Sequence, residues 1–227
     1  MNEEIMFQTK DKVLIFGNWL SPENPIGAVL LLHMMPADKS SWRVLQDELS
    51  KRRIASLAID LRGHGKSVSK GTETIDYKTF SDFEHQDSML DVESSLQFLR
   101  KKGFNLKQIV AIGASIGANL ALETVVENDA MPAVVLLSPG EDYRGIKTFP
   151  LAEALDPNQS VFAVASAGDD QKSHDAARAI VEKARSAKKE FKSFTSAGHG
   201  TNIFLQDQNL PGLIADWVAG SINKQTA

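Results

Sequence analysis

The chain has 227 residues, 42% of them hydrophobic and 24% charged, which suits one globular domain spanning residues 1–227 and disfavours a disordered or fibrous chain. Its formal net charge of −4 lacks the basic excess that a phosphate-binding surface needs, so no nucleic-acid partner is expected. With no cysteine, disulfides, thiolate catalysis and cysteine-ligated metals are excluded. The acidic start Met1-Asn2-Glu3-Glu4-Ile5 and the lack of an apolar run of about 18 residues predict a cytoplasmic protein with no signal segment and no membrane span.

In chain order, Ile5 to Thr9 and Val13 to Trp19 read as two strands joined by the polar turn Lys10-Asp11-Lys12, an N-terminal antiparallel hairpin. After Pro22 and Pro25 the pattern changes to short unbroken apolar runs: Ala28 to Leu32, Ile54 to Ile59, Ile109 to Ile112, Ala133 to Leu137 and Val161 to Ala165. Runs of that kind fit strands covered on both faces, as in a parallel sheet. Helical spacing lies between them, with Trp42, Leu45 and Leu49 in one segment and Met89, Val92, Leu96 and Leu99 in another. A helix over Ala176 to Ala187, a strand over Phe191 to Thr195 and a last amphipathic stretch with Ile203, Leu210, Leu213 and Trp217 continue the alternation. The fold class expected is α/β, a mostly parallel doubly wound sheet whose ligands sit beyond the carboxyl ends of the strands.

Gly113-Ala114-Ser115-Ile116-Gly117 follows one apolar run directly and leads into the helical pattern of Leu120, Leu122 and Val125. Glycines beside a serine at a strand-to-helix reversal leave room for a sharp turn that presents the hydroxyl, the context of a nucleophile elbow. A serine hydroxyl needs a base at neutral pH, and five histidines are available: His33, His64, His85, His174 and His199. With serine, acid and histidine in that chain order, His199 in Ser196-Ala197-Gly198-His199-Gly200-Thr201 fits the loop after the last strand. The orienting carboxylate is expected after the preceding strand, in Ser166-Ala167-Gly168-Asp169-Asp170. Asp169 is preferred, with Asp170 read as a cap for the next helix and Asp142 as a further candidate.

These motifs resemble those of the α/β-hydrolase superfamily, within the group that includes small lidless serine carboxylesterases and dienelactone-hydrolase-like proteins. Two more stretches carry the resemblance. His33-Met34-Met35-Pro36, followed by Trp42, is similar to the family's His-Gly-x-Pro turn with its downstream tryptophan, and Asp60-Leu61-Arg62-Gly63-His64-Gly65-Lys66-Ser67 to its Asp-x-Arg-Gly-x-Gly-x-Ser block. The resemblance implies an α/β-hydrolase fold and an oxyanion hole from the backbone N–H groups of Met35 and Ile116. Met34 stands where glycine is usual, which leaves it as the alternative donor, and His33 and His64 become packing residues. Dienelactone hydrolases proper use cysteine, whereas Ser115 favours ester hydrolysis.

The implied activity is cleavage of small-molecule carboxylic esters through an acyl-enzyme on Ser115. The alternatives are a thioesterase, amidase or lactonase on the same triad, or a non-catalytic binding relative. Gly65-Lys66-Ser67 fails as a phosphate loop because Asp60 stands where glycine is required, and Ser115 and Ala118 replace the later glycines of a dinucleotide fingerprint. The histidines are scattered singly, so no metal and no cofactor are expected. Pro139 to Ser160 is too short for a lid domain, which predicts an open site lined by Met34, Met35, Tyr143 and Phe149.

Overall fold

A computed structural model of the protein describes residues 2–186 and 188–223. In chain order its elements are β1 (Asn2–Gln8), β2 (Val13–Leu20), β3 (Gly27–Leu32), α1 (Arg43–Lys51), β4 (Ile54–Ile59), β5 (Ser69–Lys70), β6 (Glu73–Thr74), α2 (Asp82–Gln86), α3 (Met89–Lys101), β7 (Ile109–Ala114), α4 (Ile116–Glu127), β8 (Ala133–Leu137), β9 (Asp142–Tyr143), β10 (Ile146–Lys147), α5 (Thr148–Ala154), β11 (Ser160–Ser166), α6 (Gln171–Lys183), β12 (Lys189–Phe194), α7 (Ile203–Gln206) and α8 (Leu210–Asn223).

The apolar runs form the centre of one sheet because each is buried on both faces. Every residue of β3, β4, β7, β8 and β11 is buried. The strand order is β12-β11-β8-β7-β3-β4-β2-β5-β6, with β1 paired to β2. From β12 to β4 neighbouring strands are parallel, while β2 runs antiparallel to β4 and β1 antiparallel to β2. In β2 burial alternates, with Val13, Ile15 and Trp19 turned inward, as expected of a half-covered strand.

One face of the sheet packs against α3, α4, α5 and α6, through residues such as Val92, Leu96, Leu120, Ala152 and Ile180. The other packs against α1, α7 and α8, through Leu45, Leu49, Ile203, Ile214 and Val218. Leu213, expected on the buried stripe of the last helix, is 43% exposed instead. The helix expected over Ala176 to Ala187 begins earlier, at Gln171, and ends at Lys183, and Ala187 itself lies outside the described residues. No lid domain interrupts the described chain: between β8 and β11 it forms only the β9–β10 hairpin and α5. Among the described residues, no helix is long and apolar enough to cross a membrane.

Candidate active site

Ser115 stands between the end of β7 and the start of α4, with φ 55° and ψ −123°. A side chain at positive φ is strained, and the surroundings enforce it. The Ser115 N–H donates to Leu137 O at 2.9 Å, and its carbonyl accepts from Ala118 N at 2.8 Å. The flanking glycines are required by close approach: a Cβ on Gly113 would meet Gly117 O at 1.9 Å, and one on Gly117 would meet Leu32 O at 2.3 Å. Helix α4 is thereby pressed against the ends of β3 and β7. Ser115 is 8% exposed, and the N–H of Ile116, first residue of α4, is among the opening donors that find no acceptor within the helix.

His199 reaches the same corner through its neighbour. A Cβ on Gly200 would meet Met34 Sδ at 2.5 Å and Ala114 Cβ at 3.4 Å, so the histidine loop rests on the elbow and on the turn after β3. The Gly200 N–H also donates to Ser138 Oγ at 2.9 Å, and Ser138 is fully buried at the end of β8 with φ 49°. His199 Nδ1 lies 2.7 Å from Asp170 Oδ2, where a protonated Nδ1 donates to the carboxylate and leaves Nε2 as the free base nitrogen. No hydrogen bond joins His199 to the Ser115 hydroxyl among the described residues.

The carboxylate on His199 therefore belongs to Asp170 and not to Asp169, the residue preferred from the sequence. The two neighbours diverge because Asp169 turns back into the loop. It accepts from Ser166 Oγ, from Ser196 Oγ at 2.9 Å and from the Gly198 N–H at 2.9 Å. Those donors hold its carboxyl at about 2, below the usual range, the Ser166 hydroxyl first among them. Asp169 thus ties the end of β11 to the histidine loop. Asp170, expected as a helix cap, makes no side-chain cap bond to α6, which leaves its carboxylate free for the imidazole. Asp142 accepts from Gly145 N in the β9–β10 turn.

The turn after β3 is fixed by His33, which is fully buried. Its Nε2 accepts from the Leu61 N–H at 3.0 Å, so Nδ1 carries the proton and donates to Met34 O at 2.8 Å. Burial holds its pKa below the ordinary value, and the ring is a neutral brace. Ala37 N donates to the same Met34 carbonyl at 2.9 Å. Met34, expected in the lining of the site, lies under the histidine loop. It is 8% exposed and packs beneath Gly200 and Thr201, which gives the methionine at the usual glycine position a place. Met35 is half-buried. His64 stacks on Tyr77 at 3.8 Å, and burial lowers its pKa to about 3, a packing role as expected.

Several supporting residues carried no sequence signal beyond a place in a motif or none at all. Buried Asp60 accepts from Lys39 N at 2.8 Å, Lys39 Nζ at 2.7 Å and Lys66 N at 2.9 Å, which binds the turn after β3 to the loop after β4. Arg62 reaches Asp91 of α3 and Asp11 of the first turn, anchoring that loop from behind. Asn119, four residues beyond Ser115 on α4, donates to Gly140 O at 3.2 Å and Ile146 O at 2.9 Å and accepts from Gly140 N at 3.1 Å. The β9–β10 hairpin is thereby fixed to the helix of the elbow. Among the described residues, no three His, Asp or Glu side chains gather as a metal site would require.

The profile of a family described as alpha/beta hydrolase fold matches residues 27–199, from the start of β3 to the candidate base. The chain belongs to that family. Among curated proteins no sequence match was found. Among solved structures it is similar to the Pyrococcus furiosus esterase Pf2001, with TM-score 0.79 and 17% identity over 98% of this chain and 93% of that one. It is also similar to the alpha/beta hydrolase GrgF from Penicillium sp. sh18, with TM-score 0.79 and 13% identity over 98% and 99%. An esterase domain from a Rhodothermus marinus protein gives TM-score 0.71 and 12% identity over 98% and 99%. At these identities the likeness is one of fold.

Proposed function

We propose that the protein is a serine hydrolase cleaving small carboxylic esters, with Ser115 as nucleophile, His199 as base and Asp170 as the orienting acid. The observation that carries this reading is the 2.7 Å bond from Asp170 to His199 Nδ1, in a loop resting on the strained Ser115 elbow. A carboxylate on Nδ1 leaves Nε2 unprotonated to take the serine proton, and it stabilises the imidazolium that forms. In the Michaelis complex the Ser115 hydroxyl and His199 close the remaining gap, since catalytic hydrogen bonds often tighten only once substrate is bound. The hydroxyl then attacks the ester carbonyl, and the charge developing on that oxygen meets the Ile116 and Met35 N–H groups. The imidazolium protonates the leaving alcohol, and water admitted to the acyl-enzyme completes hydrolysis by the same steps. Ester chemistry is preferred because the structures of similar fold include esterases, and small acyl groups suit a chain in which only the β9–β10 hairpin and α5 stand between β8 and β11.

The test is turnover of an activated acetyl ester by the purified protein and by Ser115→Ala. Loss of the hydroxyl is expected to lower kcat by about 10⁴-fold or more, with the melting temperature unchanged. A folded Ser115→Ala variant retaining most of the activity would remove serine chemistry from the account.

A further inference from the structure

The peptide N–H groups on either side of His199 go to different strand ends. The Gly198 N–H donates to Asp169 Oδ2 at 2.9 Å, in the loop that carries Asp170. The Gly200 N–H donates to Ser138 Oγ at 2.9 Å, at the end of β8. The residue before Ser138 holds the nucleophile, because Leu137 O accepts from the Ser115 N–H at 2.9 Å. A further bond runs towards the acid: the Ser138 N–H donates at 2.8 Å to Val164 O of β11, the strand that leads to Asp170. Since β8 lies between β7 and β11 in the sheet, the two consecutive residues Leu137 and Ser138 bond to the elbow, the histidine loop and the strand of the acid. Ser138 is fully buried with φ 49°, a conformation that is strained for a side chain and free to glycine. The bond made by its hydroxyl is what a glycine there would lack.

We propose that Ser138 is a positioning residue, whose hydroxyl fixes the His199 loop relative to Ser115 and so sets the distance across which the imidazole reaches the serine hydroxyl. The assignment rests on the serine-hydrolase reading above. Asp170 orients the ring at Nδ1, and Asp169 ties the loop to Ser166, Ser196 and Gly198, so the bonds of both run between the ends of β11 and β12. The bond from Ser138 is different, because a single peptide unit separates it from the carbonyl that holds Ser115. Met34 and Ala114 also pack against Gly200, but such contacts limit approach without directing it. No hydrogen bond joins Ser115 to His199 among the described residues, so their alignment depends on where the loop is held. A displacement of about 1 Å in a reacting group costs on the order of 10²-fold in rate.

Two substitutions separate this role from a structural one. Ser138→Gly and Ser138→Ala both remove the hydroxyl, but glycine relieves the backbone strain and alanine keeps it, so the alanine variant is expected to melt at the lower temperature. Turnover of an activated acetyl ester is expected to fall alike in both, by about 10- to 10²-fold in kcat. KM is expected to stay within about twofold, since His199 serves acylation and deacylation and both steps slow together. Unchanged kcat in the folded variants overturns the proposal, as does a loss that follows melting temperature and is much larger in alanine than in glycine. A rise in KM with kcat intact also overturns it, by making Ser138 a substrate contact. Backbone amide hydrogen exchange followed by NMR gives a readout independent of turnover. The Gly200 amide is expected to exchange about tenfold faster or more in Ser138→Gly than in the parent, with the Ser115 and Gly198 amides unchanged. Equal Gly200 rates in the two proteins overturn the tether. Activity that survives Ser115→Ala marks failure of the serine reading instead, and overturns the role toward the base even where the exchange result upholds the tether.

Discussion

At the scale of single residues, Asp169 and Asp170 are chemically identical neighbours with different bonds, and their asparagine variants separate the roles. Asp170→Asn is expected to lower kcat by about 10²- to 10⁴-fold, because the amide turns the imidazole to the wrong tautomer. Asp169→Asn leaves the Asp170 to His199 bond in place and is expected to cost far less turnover, measured on the same activated ester. Its effect belongs to acid stability instead. Donation from Ser166, Ser196 and Gly198 lowers the Asp169 pKa to about 2, so the folded state favours the ionised form. That stabilisation is present above the unfolded carboxylate value of about 3.9 and is lost as pH falls through about 2. Urea midpoints measured from pH 5 down to 2 should fall less steeply in Asp169→Asn than in the parent protein. The strand-to-helix turn at Ser115 and the loop that carries His199 were legible from motif and order. The carboxylate that bonds His199 was not, since nothing in the pair Asp169-Asp170 records that the first bends back onto two serines.

At the scale of elements, the unbroken apolar runs identified the five central strands to within two residues at either end, because full burial on both faces leaves a compositional mark. The pieces that shape the site left none. Strands β5, β6, β9 and β10 are two residues each, and α2 and α7 are one turn, too short for any periodicity. They exist through distant partners: Asn119 holds the hairpin from α4, and Gln86 of α2 donates to Arg144 O at 2.8 Å. Asn119→Ala strips two donors and one acceptor from buried backbone groups and is expected to cost about 1 to 3 kcal/mol, or roughly 2–4 °C of melting temperature per kcal/mol in a chain of this size. Thermal melting checks the magnitude, and faster proteolytic cleavage within 140–147 would show that the loss is local to the hairpin.

At the scale of the whole molecule, one edge of the sheet collects what is scattered in the sequence. The turn after β3, the elbow after β7, Ser138 after β8, Asp170 after β11 and His199 after β12 meet because five parallel strands end side by side. Family membership fixes that architecture and leaves the chemistry to the side chains, since one fold serves many activities. The central claim is that the convergence activates a single hydroxyl. Treatment of the purified protein with a fluorophosphonate, followed by peptide mapping, measures it most directly. The expected result is one adduct per chain on Ser115, absent in Ser115→Ala and much slower to form in His199→Ala. An adduct on another residue, or ester turnover that survives complete modification of Ser115, would contradict the account.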